Sequence, residues 1–267
     1  MRAADWINVV YFSLLLGLGW TRSLPLGKRV RTTALGVLGL SFVWLSLVIS
    51  SRIRSPIASV IRDWLPAPMM LVAYWQAGQF YTRANEEVQR ALVRFDENLF
   101  RFLRSRFGAG IRWLSTYFEF SYLFCYPMIP LGVGALYLMH LRDHTGQFWA
   151  VVLPATYACY LVLPFLQVLP PWVLRGHMPE RGGSFRRVNL WINRHLSIRV
   201  DTFPSAHVAA AVATALTLLL FSPVVGLLFM WLAVSIAIGC VVRRYHYTLD
   251  VLLGVVLALL AFLFNLP

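Results

Sequence analysis

Long stretches of this chain are nearly free of charge, and they dictate what it can fold into. A helix needs about 20 mostly apolar residues to cross a bilayer. Eight segments are candidates on that basis: residues 5–20, 32–50, 63–82, 113–139, 146–169, 207–221, 223–242 and 246–265. The first is short and contains Asn8, and the third carries Asp63, Gln76 and Gln79, which reads as partly interfacial. The other six are firmer. Several are short by apolar count, but flanking Tyr, Trp and Arg can extend them by snorkelling. Composition agrees: 59% of residues are hydrophobic and 13% charged, against roughly 45–50% and about 25% in soluble domains. The mean hydropathy is +0.66. Ten Trp, eleven Tyr and eighteen Phe fit aromatic belts at the two interfaces. The expected fold class is all-α, a polytopic membrane helical bundle of one domain's length. The run Val9–Trp20 ends in Trp20-Thr21-Arg22 with no small-residue cleavage pattern, so it reads as a retained membrane helix rather than a signal peptide.

The formal charge is +13, with Lys28 the single lysine. A balance this basic raises nucleic-acid binding, which the placement of the charge argues against. The arginines sit in short loops beside apolar segments, where anionic head groups or a phosphorylated substrate are nearer partners. Arginine also favours planar, bidentate phosphate recognition. Cys125, Cys159 and Cys240 lie in apolar segments, fit no metal-ligand spacing and read as buried thiols.

Three regions follow. Residues 1–82 are N-terminal membrane helices. Residues 83–112 are too charged to span. There Val88, Leu92, Phe95, Leu99 and Phe102 trace one helix face, and Arg90, Arg94, Arg101 and Arg104 occupy others. Glu86 and Glu87 open this segment and arginines close it, matching the helix dipole. It is read as an amphipathic interfacial helix on anionic lipid, or as a cytosolic helix packed on the bundle. Residues 113–267 form the membrane core, with a preceding helix contributing. Inside that core, Pro170–Thr202 is a long polar connection opened by the helix stop Pro170-Pro171.

Two polar islands at the ends of apolar segments carry the chemistry. One is Phe203-Pro204-Ser205-Ala206-His207; the other runs from Arg243 to Asp250. Between them lie two apolar stretches joined by the turn Ser222-Pro223. A helical hairpin would return the second island to the side of the first. His246 and Asp250 are spaced i, i+4, so on a helix the carboxylate can orient the imidazole and raise the basicity of its other nitrogen. An intramembrane Asp is a functional hypothesis by default; a structural pairing with Arg243 or Arg244 is the alternative. Ser205 could cap the helix that begins at His207, leaving backbone N–H groups facing an anion. Taken alone, it is equally a plain cap beside an interfacial histidine.

Pro204-Ser205-Ala206-His207 followed by His246-x-x-x-Asp250 resembles the type 2 phosphatidic acid phosphatase superfamily, integral-membrane enzymes that remove or transfer phosphate groups on lipids. The run Arg244-Tyr245-His246-Tyr247-x-x-Asp250-Val251-x-x-Gly254 is similar to the branch that includes inositol phosphorylceramide synthases. The resemblance implies a six-helix phosphatase-like core with extra N-terminal helices. It implies that His246 attacks phosphorus to form a phosphohistidine, that Asp250 holds His246, and that His207 protonates the leaving oxygen and then activates water or an acceptor hydroxyl. Ser205 and arginines (Arg244, Arg243, Arg175, Arg187 and Arg194 are the candidates) would bind the phosphoryl oxygens. No metal and no cofactor are expected, because arginine and backbone donors neutralise the developing charge. There are departures. The family usually has an arginine six residues before the nucleophile, where Cys240 stands here. The first family motif, Lys-x6-Arg-Pro, is absent and only partly imitated by Arg187-x6-Arg194-His195. Trp172 stands where relatives often carry arginine after Pro-Pro, with Arg175 one turn on.

Three functions are compatible with these residues. One is a lipid-phosphate phosphatase acting on a phosphate ester or pyrophosphate. Another is a phosphotransferase moving a phospho-head group between lipids. The third is a non-enzymatic membrane protein that binds anionic lipid. The expected partners are a lipid phosphate and membrane lipids, with no nucleic acid. The expected location is a multi-pass integral membrane protein. The loops that hold the islands share a face with residues 21–31 and 83–112, and this face carries 19 of the 24 lysines and arginines. That places this face in the cytoplasm by the positive-inside rule. The resemblance points to the outer or luminal face, and both orientations stand.

Overall fold

In a computed structural model the described residues are 1–52, 55–107, 112–174, 183–198 and 200–266. Among them the chain is all-α, and its only β pairing is an isolated bridge between Val168 and Asp201. The N-terminal region contributes α1 (Ala3–Thr21), α2 (Leu26–Arg52), α3 (Pro56–Trp64) and α4 (Pro66–Gly78). Next come α5 (Glu86–Phe107), α6 (Arg112–Leu123), α7 (Met128–Leu138), a single 3₁₀ turn at Arg142–His144 and α8 (Thr145–Val162). Then follow α9 (Pro171–Leu174), α10 (Gly183–His195), α11 (Ala206–Phe221), α12 (Pro223–Val242) and α13 (Thr248–Leu263).

Three of the eight expected spans are single helices long and apolar enough to cross a membrane: α1, α2 and α12. Two others are broken where proline interrupts the ladder. The segment 63–82 divides at Leu65, with Pro66 opening α4. The segment 113–139 is two helices, α6 and α7, bent by 71° across a break that ends at Pro127. Counted as one span, this bent pair makes a fourth. Helices α11 and α13 are apolar but have 16 residues each; that is about 24 Å at 1.5 Å per residue, short of the roughly 30 Å hydrocarbon core. The connection 170–202 also differs from the expected polar loop, since it contains α10, whose inner residues Arg186, Asn189 and Asn193 are buried.

Helix α11 lies at the centre. Every side chain from Ala206 to Ala215 is buried except half-buried His207. Alanines at 206, 209, 210, 211, 213 and 215 let neighbouring helices approach closely. The expected hairpin is present: Ser222 accepts from the Val225 N–H, and Pro223 opens α12. Gly226 permits this tight return, because a Cβ there would lie 2.3 Å from Leu219 Cα. On α12 the exposed residues Val224, Leu227, Leu228, Trp231, Val234 and Ile238 form one stripe, the pattern of a face turned to lipid rather than to a core. The cysteines Cys125, Cys159 and Cys240 are free and buried.

Candidate active site

The hairpin brings the two islands together, and the backbone joins them. The Ser205 N–H donates to the Asp250 carbonyl at 3.1 Å. Gly254 makes the approach possible, since a Cβ there would stand 2.6 Å from the Ser205 carbonyl oxygen. The end of α12 is closed by its own chain: Arg243 donates to Gly239, Arg244 to Val241, and both Tyr245 and His246 to Cys240. This reversal puts Arg244 at φ +63°, a left-handed conformation uncommon for a residue with a side chain. It also turns His246 back over the start of α11. The Cys240 side chain is buried, and that position serves the site through its carbonyl, which holds the Tyr245 and His246 N–H groups.

His246 lies in the turn between α12 and α13, with 5% of its surface exposed. Its Nδ1 is 2.6 Å from Asp250 Oδ2 and 2.8 Å from Asp201 Oδ1. One ring N–H serves one acceptor well, and the geometry gives it to Asp250. The Asp201 contact is an ion pair without hydrogen-bond alignment, and neither Asp201 oxygen has a hydrogen-bond partner among the described residues. Burial pushes this imidazole towards the neutral form, but the two carboxylates outweigh burial and raise its pKa to about 10. On the opposite side of the ring, Nε2 faces His207 Nδ1 at 3.2 Å. His207 is flanked by the rings of Tyr122 and Tyr126.

A small cavity opens onto His207, His246 and Asp201. Its walls include Tyr74, Tyr122, Tyr245 and Trp172, with Asn193 and Ser197 on one side. Tyr122 and Tyr245 stack at 3.8 Å, nearly parallel. Trp172 lines this cavity. Ser205 occupies the N-cap position of α11, but its hydroxyl makes no cap bond. The Ala206 N–H reaches Thr202 Oγ1 instead, at 3.4 Å. The Ser205 Oγ is buried with no partner among the described residues, which corrects the expectation of a serine cap.

The arginines disperse. Arg243 donates through Nε to Glu119 Oε1 at 2.6 Å. Arg244 pairs with Asp96 at 3.3 Å and stacks 3.4 Å from the Phe100 ring centroid. Arg187 and Arg194 are exposed on α10, and neither lines the cavity. Arg175 lies outside the described residues. The expected ring of phosphate-binding arginines is therefore not assembled around His246 by the described side chains, because carboxylates claim Arg243 and Arg244.

Those carboxylates are among the residues that motif reading missed. Glu119, fully buried on α6, accepts from Arg186, Arg243, Tyr245 and Asn189. It fastens the turn before His246 to α6 and α10. Its signal was visible as an acidic residue inside an apolar segment. Asp96 of α5 accepts from the Thr248 N–H at the start of α13 as well as from Arg244. Asp201 stands four residues before Ser205 and is fixed by its N–H donating to the Val168 carbonyl; proximity to the island was its only mark. Asp201, His246 and Asp250 also present ligand atoms within 4.8 Å of one another, a constellation able to hold a cation. Sequence spacing did not show it, because Asp201 comes from a distant loop. The His246 Nδ1 proton is the group that would have to leave for such binding.

With this geometry in view, the similarity to known proteins is informative. The model of the PAP2 superfamily matches residues 90–264, more than half of the chain. The protein belongs to the PAP2 superfamily, whose members are generally phosphatases. It is a membrane protein of the phosphatase or phosphotransferase type. No curated protein and no solved structure matches it.

Proposed function

We propose that the protein is a multi-pass membrane lipid-phosphate phosphatase working through a phosphohistidine. The observation that carries this reading is the line Asp250 Oδ2–His246–His207, with contacts of 2.6 and 3.2 Å on the two nitrogens of one buried ring. The carboxylate fixes the tautomer that leaves Nε2 as the attacking atom. A phosphoryl group entering the cavity replaces the His207–His246 contact and sits between the rings. The Nε2–P bond forms as the P–O bond to the lipid breaks, and His207 gives its proton to the departing oxygen. Water then attacks phosphorus with His207 as base, the N–P bond breaks, and inorganic phosphate leaves.

Asp201 and Asp250 favour a protonated His246, so this ring gives up its Nε2 proton before it attacks, and His207 takes up the proton it needs as acid in the substrate complex. The Ser205 hydroxyl, buried with no partner among the described residues, is a candidate donor to a phosphoryl oxygen. Arg244 joins it by exchanging Asp96 for phosphate. Arg243 acts through Glu119 in holding the turn, Arg175 remains a candidate from its sequence position, and Arg187 and Arg194 are better placed for head groups than for phosphorus.

The test is phosphate release from lipid phosphates by the purified protein in detergent, with and without an acceptor alcohol. Free phosphate with water as the only acceptor supports the phosphatase. Product formed only with the alcohol assigns the phosphotransferase instead, the reading favoured by the run Arg244-Tyr245-His246-Tyr247 that resembles the synthase branch. No turnover of any lipid phosphate, with head-group binding retained, assigns a non-enzymatic binder. Turnover is expected to persist in EDTA; loss restored by one specific metal would place a cation on Asp201, His246 and Asp250.

A further inference from the structure

Two buried carboxylates flank one nitrogen of His246, and hydrogen bonding uses only part of what they offer. Asp201, His246 and Asp250 are 2%, 5% and 0% exposed. Nδ1 carries at most one N–H, which goes to Asp250 Oδ2 at 2.6 Å. Asp250 Oδ1 and both oxygens of Asp201 have no hydrogen-bond partner among the described residues. The arginines next in the chain to His246 do not answer them, because Arg243 and Arg244 pair with Glu119 and Asp96. The carboxylates are nonetheless held in place through their backbones. The Asp201 N–H donates to the Val168 carbonyl at 3.0 Å, and the Asp250 carbonyl accepts from the Ser205 N–H at 3.1 Å.

One oxygen of each carboxylate and a His246 ring nitrogen lie within 4.8 Å of one another. A divalent cation among them meets two anions and a neutral imidazole, so the buried charges sum to zero. Bonds of about 2.0–2.2 Å from a tetrahedral centre set ligand atoms about 3.4 Å apart, so each carboxylate moves outward by less than about 1 Å. Burial leaves little room for the waters that magnesium keeps, whereas an imidazole ligand suits zinc. The far ring nitrogen, Nε2, faces His207 Nδ1 at 3.2 Å; a metal-bound histidine is ordinarily fixed by such a bond from its other nitrogen. We infer that Asp201, His246 Nδ1 and Asp250 form an inhibitory site for zinc or a similar first-row divalent cation. The metal displaces the Nδ1 proton to solvent. The remaining ring proton then sits on Nε2 and donates to His207, so the atom that attacks phosphorus has no free lone pair. This rests on the proposed chemistry for its effect on turnover, though not for binding.

The test uses the full chain in detergent, with zinc as the probe and a chromophoric chelator competing for it. The unaltered protein should bind about one zinc per chain and lose turnover of a lipid phosphate as it binds. The loss should fall on kcat with KM little changed, because the metal lies on the side of the ring away from phosphorus. Asp201→Asn keeps the shape of the side chain and removes its charge. It should weaken zinc binding by about 100-fold, no less than the loss of an outer-shell partner costs, and its residual turnover should resist zinc to the same extent. Cys125→Ala with Cys159→Ala and Cys240→Ala should bind zinc as before, which separates this site from the free thiols. No zinc bound by the unaltered protein, undiminished affinity in Asp201→Asn, affinity lost with the cysteines, or turnover raised by zinc overturns the inference. If Asp201→Asn does not purify, the unaltered and cysteine-free proteins decide, and inhibition through KM alone overturns it. Zinc bound as expected in a protein that turns over no lipid phosphate leaves the site standing and refutes the phosphatase reading.

Discussion

Two clusters of buried charge lie towards the two ends of α8, and they are built on opposite rules. At the start of α8, Asp63 is saturated. Arg2 binds Oδ1 at 2.5 Å, Arg142 and Tyr137 bind Oδ2 at 2.8 Å each, and Trp149 takes the Asp63 carbonyl. Asp5 beside it accepts from Arg62 and from the Arg2 N–H. Beyond the other end, both carboxylate oxygens of Asp201, one of Asp250 and Ser205 Oγ have no hydrogen-bond partner among the described residues. Buried polar groups are ordinarily satisfied, because an orphaned one costs about 1–3 kcal/mol. Asp63 obeys that rule and ties α1, α3, α7 and α8 together, with Arg62 Nε the exception in its surroundings. The His246 cluster leaves a serine hydroxyl and three carboxylate oxygens open around its histidine, and stability is not what that arrangement serves.

If the contrast is right, substitutions at the two ends should fail differently. The largest effect is expected at the open end. His246→Ala should abolish turnover, by many powers of ten as for other nucleophiles, while the protein purifies as a monodisperse, folded species. Retention of more than about a tenth of the activity would remove the phosphohistidine mechanism. Arg244→Ala should lower kcat by about 10²–10³-fold, the scale of one lost charge-stabilising donor. Arg90→Ala in the same detergent should leave kcat nearly intact; equal damage from both would show that the phosphate site is misplaced.

Smaller and more diagnostic is Asp201→Asn. Removing one of the two anions beside His246 takes away part of what raises the pKa of this ring. The pH–rate limb belonging to His246 should therefore move to lower pH, with kcat down about tenfold or more and KM little changed. A profile that does not move would make Asp201 a merely structural neighbour. At the saturated end, Asp63→Ala should spare chemistry and reduce stability by about 1–3 kcal/mol, because it removes the shared acceptor of Arg2, Arg142 and Tyr137. Thermal unfolding and kcat measured on one preparation decide this. Loss of turnover without loss of stability there would erase the distinction between the two ends.

Much of the fold was written in the sequence because lipid leaves a chain few choices. Apolar length and the Ser222-Pro223 turn are local properties, and they were enough to predict an all-α bundle and the hairpin that joins the islands. His246 with Asp250 was legible for the same reason, since an i, i+4 spacing becomes a contact in any helix. What the sequence left open is long-range pairing. Nothing local tells Arg243 that Glu119 will claim it, or Arg244 that Asp96 will; opposite charges in a low-dielectric interior settle on the partner the fold brings nearest. The two-sided carboxylate embrace of His246 likewise needed the Val168–Asp201 bridge. The prolines announced that two segments would break, but the 71° turn between α6 and α7 was fixed by packing. The sequence by itself determined that helices would fill a membrane and that two histidines and an aspartate would meet at one end of them. The tertiary structure decided which charges are spent on holding that end together and which are left open to a substrate.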